Sequence, residues 1–150
     1  FGGWALREGK RKLEGLVISK TSKGAIIIGH AVVGWAYCAA LIGVGTQFMS
    51  MDDTLIMHAI GAPVGFALVA LCYFKRFAFT SPLQMAGLFL GVVITLDVVV
   101  VALLIERSFA MFESIVGTWL PLALIFGATY ATGLFVTRGK NLHPRSASVG

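Results

Sequence analysis

The sequence predicts an all-α integral membrane protein: a four-transmembrane-helix antiparallel bundle with both termini cytoplasmic, preceded by a basic amphipathic N-terminal segment. Three observations predict it. Of the 150 residues, 57% are hydrophobic and 13% charged, with a mean hydropathy of +0.87, against roughly half apolar and a quarter charged in an ordinary soluble domain. The apolar residues fall in four stretches of about the length that crosses a bilayer. The charged residues between those stretches are sorted by sign. Together these exclude a soluble enzyme and a nucleic-acid-binding module, despite a formal net charge of +5.

The first element, 1–23, is a basic juxtamembrane segment in which Trp4, Leu6, Leu13, Leu16 and Val17 lie among Arg7, Glu8, Lys10, Arg11, Lys12 and Glu14. Its apolar positions fall broadly on one helical face, so it is expected to lie at the cytoplasmic headgroups, with Lys10, Arg11 and Lys12 drawn to anionic lipid. A solvated tail that merely sets topology is the alternative. The span that follows is too long for a signal-peptide core and lacks an early small-residue cleavage site. The bundle occupies 24–137, with spans at about 24–45, 55–74, 83–105 and 118–137. The only charge inside them is Asp97. The connections are short, which makes consecutive helices antiparallel neighbours. Residues 138–150 form a basic cytoplasmic tail, of which 141–150, rich in Ser with Gly and Pro, is expected to be disordered.

Orientation follows from the basic residues. Eleven of the twelve, namely Arg7, Lys10, Arg11, Lys12, Lys20, Lys23, Lys75, Arg76, Arg138, Lys140 and Arg145, fall on one side of that topology, and only Arg107 on the other. Asp52, Asp53, Glu106 and Glu113 lie with Arg107. The positive-inside rule puts the Lys-rich side in the cytoplasm, and a multi-pass protein of the bacterial inner membrane is the default location.

Helix association in lipid depends on close approach rather than on a hydrophobic drive, so small residues mark packing faces. Gly61 and Gly65 in span two and Gly87 and Gly91 in span three form GxxxG pairs, and Ala123, Gly127 and Ala131 recur every fourth residue in span four. Grooves left outside the bundle would serve a homo-oligomer or a larger membrane complex. Pro63 is deep enough in span two to kink it, whereas Pro121 suits the first turn of span four.

Asp97 carries the functional expectation. It lies only about three residues past the middle of span three, where a carboxylate costs about 2.5–3.5 kcal/mol on insertion scales, and must therefore face the bundle, a partner or water. It reads as a proton or ion site, or else as a structural hydrogen-bonding group. At about 1.5 Å per residue, His58 comes roughly 5 Å further outward and is its feasible partner. Tyr37 and Cys38 reach a similar level, Tyr130 and Thr129 fall somewhat inward, and His30 lies about 12 Å away on the cytoplasmic half. A polar network of Tyr37, Tyr130, Thr129 and His30 around Asp97 and His58 would cross most of the membrane.

Cofactor chemistry finds little support. His30 and His58 lie on opposite halves, which disfavours a bis-histidine haem. Met49, Met51, Met57 and Met111 near the outer face would suit Cu(I), but serve equally as apolar anchors, and no metal or other cofactor is expected. Cys38 and Cys72 come roughly 16 Å apart along the membrane normal, too far for a disulfide. No GxSxG, CxxC, HExxH or P-loop is present, so a catalytic role is not expected. Two readings remain. One is an oligomeric permease or proton-coupled carrier using Asp97; the other is a non-catalytic accessory or assembly subunit of a larger membrane complex.

Overall fold

A computed structural model describes residues 3–142 of the chain, and among these there are helices and connecting turns but no strand. Four helices are long and apolar enough to cross a membrane. Their α-helical parts are α1 (Gly3–Phe48), α2 (Met51–Arg76), α3 (Pro82–Leu96) and α4 (Leu120–Leu142). Spans three and four are completed by π-helical segments, Asp97–Ile105 after α3 and Ile115–Trp119 before α4, so that the apolar helical stretches run Pro82–Ile105 and Ile115–Asn141. All four expected spans lie within these limits.

Helix α1 has 46 residues, about 69 Å at the α-helical rise, roughly twice a hydrocarbon core. No proline occurs before Pro63, and nothing interrupts the hydrogen-bond ladder between the basic segment and the first span. The separate element expected at 1–23 is thus, over its described residues, the first part of α1. Lys10 and Lys12 are exposed, and Lys10 meets Glu14 in an exposed pair at 4.0 Å. The Arg11 and Trp4 side chains and the tail beyond residue 142 lie outside the described residues.

Local chemistry sets the other boundaries. Ser50 caps α2, its hydroxyl accepting from the Asp53 N–H at 3.2 Å. Asp52 and Asp53 occupy the first turn of that helix and Lys75 and Arg76 its last turn, the arrangement that complements a helix dipole. Ser81 and Gln84 form a reciprocal capping box at the start of α3, with Pro82 in the first turn. Helix α2 continues through Pro63.

The π segment after α3 contains Val98, Val99, Val100 and Val101, whose branched Cβ atoms crowd a tight α ladder. Its wider turn is seen where the Glu106 N–H donates to the Val101 carbonyl at 2.8 Å, and it closes at Arg107, in the left-handed region with φ 49°. The second π segment ends just before Pro121, whose ring nitrogen has no hydrogen to continue the ladder.

The helices pack α2 on α4 and α1, and α3 on α4 and α1. A Cβ on Gly45 would strike Thr54, one on Gly34 would strike Phe66, and His30 lies edge-on to Tyr73 and Phe77. Residues of α1 and α2 therefore meet in reverse order. The largest fully buried side chains are Tyr73, Phe66, Phe74, Phe89 and Met85, and most cluster in one half, here named the Tyr73 end. Tyr73 and Phe74 are 5.2 Å apart in edge-to-face contact, and Phe66 meets Phe89 at 5.7 Å. The Tyr73 hydroxyl accepts from the Phe79 N–H at 3.1 Å and bonds the Thr80 hydroxyl at 3.2 Å, which ties the α2–α3 turn to the core. Lys140 of α4 donates to the Phe74 carbonyl at 2.8 Å, satisfying an orphan acceptor near the end of α2.

Candidate functional site

Asp97 stands where α3 passes into its π segment, and the Trp35 indole N–H of α1 donates to its Oδ1 at 2.9 Å. This contact joins residues 62 apart in sequence and answers the question Asp97 poses, namely what satisfies a carboxylate among valines. A hydrogen bond of this kind contributes about 0.5–1.5 kcal/mol, and more with an ionised carboxylate. It also satisfies the indole, which in an apolar interior needs an acceptor.

The pair borders a cavity of about 80 Å³, enough for a few waters or a ligand of a few heavy atoms. Trp35, Cys38 and Ile42 line it from α1, His58 from α2, and Val93, Asp97 and Val101 from span three. Ala39 of α1 and Met111, Gly117, Thr118, Pro121, Leu122 and Ile125 complete the wall. Both π segments thus contribute to it. Thr118 donates to the Met111 carbonyl at 2.6 Å, and the Trp119 indole donates to the Phe112 carbonyl at 2.8 Å. These bonds hold the 106–114 connection against the start of the fourth span and keep Met111 at the cavity.

His58 is 7% exposed, and its Nδ1 is buried without a hydrogen-bond partner. The two residues expected to pair, Asp97 and His58, therefore face one cavity, each with a polar atom unengaged among the described residues. Cys38, placed by depth at this level, is buried in the same wall.

The other expected network residues lie elsewhere. Tyr37 is 40% exposed, and its ring packs over Gly65 in an apolar groove that also holds Met49 and Met57. Tyr130 is 37% exposed, and Thr129 is fully buried with an unpartnered hydroxyl, but neither borders the cavity. His30 sits at the Tyr73 end, where its Nδ1 donates to the Ile26 carbonyl at 2.7 Å. The methionines are split between the groove, the cavity and the surface, and the described residues contain no group of three His, Cys, Asp or Glu able to hold a metal ion.

The small-residue motifs also divide. Gly61 and Gly65 are filled by Leu41 and Tyr37 of α1. By contrast, Gly87, Gly91 and Gly127 have open space where a side chain would be, and Ala123 and Ala131 are exposed. The sequence reading missed Trp35 as the partner of Asp97. Its signal was present, because Trp35 is less than one turn from Cys38, which depth already placed at the level of Asp97, and an indole in mid-membrane needs an acceptor.

A scan of protein-family models finds no match to this chain, and searches of curated proteins and of solved structures find none either.

Proposed function

We propose that the chain is an oligomeric permease or proton-coupled carrier of the cytoplasmic membrane, with Asp97 as its titrating site and His58 as the partner across the cavity. The single observation that carries this reading is that the one carboxylate within the spans and a buried, unpartnered histidine line the same cavity. A lone intramembrane carboxylate holds a proton or a cation but not both, which is the elementary requirement for exchange. Binding and release alter the Asp97–Trp35 bond, and that bond connects α1 to the α-to-π junction of span three. The junction is the natural place for a change of charge to become a change of shape, since π segments are weakly held and gather at functional sites.

The topology belongs to the same proposal. Four antiparallel spans with both termini cytoplasmic agree with the reverse-order contacts of α1 and α2 and with the eleven basic residues of one side. That orientation puts the cavity in the outer half and gives the basic part of α1 to the cytoplasmic headgroups.

A second reading is favoured by a different observation. Gly87, Gly91 and Gly127 present unfilled faces, as an accessory or assembly subunit docking into a larger membrane complex would. There Asp97 has a structural role through Trp35. Collapse of an imposed pH gradient in proteoliposomes separates the two. The carrier reading expects the unmodified protein to dissipate the gradient and Asp97→Asn, reconstituted at equal density, to hold it. Equal gradients with both proteins favour the accessory subunit.

A further inference from the structure

The polar groups around the cavity are unevenly matched. Two strong donors reach it, the Trp35 indole N–H and the Thr118 hydroxyl, and both are engaged, with the Asp97 Oδ1 and the Met111 carbonyl. The acceptors are less fully engaged. Oδ2 of Asp97 receives no hydrogen bond among the described residues, a hydroxyl that donates keeps its lone pairs, and Nδ1 of His58 is buried and unpartnered. The imidazole nitrogen accepts in one neutral tautomer and donates in the other. No Lys or Arg lines the cavity.

A carboxylate with a free oxygen, beside a hydroxyl whose proton is engaged and an imidazole nitrogen able to accept, favours a ligand that brings its own donors and a positive charge. An anion would meet the Asp97 carboxylate with no Lys or Arg to offset it. Alkali and alkaline-earth cations need several oxygen ligands, and the side-chain oxygens here come from Asp97 and Thr118 alone. An ammonium group differs, because its N–H bonds serve oxygen and imidazole nitrogen alike. The remaining wall is apolar, with Ile42, Val93, Val101, Leu122 and Ile125, and suits a short alkyl group. The volume of about 80 Å³ limits the ligand to a few heavy atoms.

We propose that this cavity binds a small primary ammonium ion of about the size of methylammonium, its N–H groups shared among Asp97, His58 and Thr118. The inference rests on the reading of Asp97 as a functional site and adds the class of cation that competes there with the proton.

The test is calorimetric titration of the purified, detergent-solubilised full chain with methylammonium chloride, alongside tetramethylammonium and sodium chlorides. The expected result is saturable binding of methylammonium. Tetramethylammonium, which has no N–H, binds at least tenfold more weakly, and sodium adds only the heat of dilution. Asp97→Asn weakens methylammonium at least tenfold, and His58→Phe weakens it less. Absence of saturable methylammonium binding by the unmodified protein overturns the proposal whatever the variants do. So does tetramethylammonium binding of equal strength. The two proposals can fail separately. Methylammonium binding without gradient dissipation in proteoliposomes removes the carrier and keeps the site, whereas dissipation without methylammonium binding keeps a proton site and removes this ligand class.

Discussion

At the Tyr73 end the helices are joined by rings. Tyr73 packs on Phe74 and Phe77, Tyr73 and Phe77 meet His30 edge-on, the turn amides are satisfied by Tyr73, and Lys140 closes a carbonyl near the end of α2. At the Asp97 end the ladder loosens into π turns, a cavity opens, and Nδ1 of His58 has no partner. The contrast teaches where this chain gains stability and where it gives some up. Buried polar groups are normally paired; of the two side-chain exceptions among the described residues, Nδ1 of His58 lies at the cavity and the Thr129 hydroxyl lies apart from it.

The two intramembrane histidines state the contrast most compactly. Each opens a similar stretch, His30-Ala31-Val32 and His58-Ala59-Ile60. His30 has its Nδ1 satisfied by its own helix and its ring held between aromatic edges, whereas His58 meets a space.

The largest expected effect lies at the Tyr73 end. Tyr73→Ala empties a fully buried ring site and releases the Phe79 amide, and is expected to destabilise the protein by about 3–5 kcal/mol, measured by unfolding in mixed micelles. A loss below about 1 kcal/mol would show that the aromatic cluster is not the anchor. Next comes Asp97→Leu, which leaves the Trp35 indole without its acceptor and is expected to cost about 1–3 kcal/mol. Asp97→Asn keeps an acceptor and is expected to cost less than half as much in the same assay. The cycle combining Trp35→Phe with Asp97→Leu is expected to return a coupling of about 1–2 kcal/mol; additivity would mean that the bond contributes nothing. The smallest effect on stability is expected for Gly87→Leu, because nothing lies where its side chain would go. Its unfolding should change by less than about 0.5 kcal/mol, while its oligomeric state, read by cross-linking in the membrane, should change if that face docks a second copy. A strong loss of stability would place Gly87 inside the bundle.

Much of the fold was legible because a bilayer imposes a one-dimensional rule. Uncharged stretches of the right length must be helices, and Asp97 was conspicuous as the only charge within them. The short connections were legible too, through their charged and polar residues, whereas the capping roles of Ser50, Ser81 and Pro82 came from the structure. Rotation about the helix axis was harder. Depth along the membrane can be counted from sequence, but which side of a helix faces its neighbour cannot when nearly every residue is apolar. Tyr37 and Tyr130 were therefore placed at a suitable level yet face grooves and surface, while Trp35, close to the same level, reaches Asp97. The same ambiguity hid the difference between Gly61 and Gly65, filled by α1, and Gly87 and Gly91, left open. The π segments escaped notice because a run of valines reads equally well as an α-helical span.

The most direct test of the central claim uses the three tryptophans as reporters. In proton–nitrogen spectra of the solubilised protein, the indole signal lost in Trp35→Phe reports the hydrogen bond to Asp97. That signal is expected to move as pH is varied across the titration of Asp97, and to be insensitive to pH in Asp97→Asn. A Trp35 indole signal unchanged by pH in the unmodified protein and unmoved by the Asp97→Asn substitution would contradict the account, since the contact on which the site is built would then be absent.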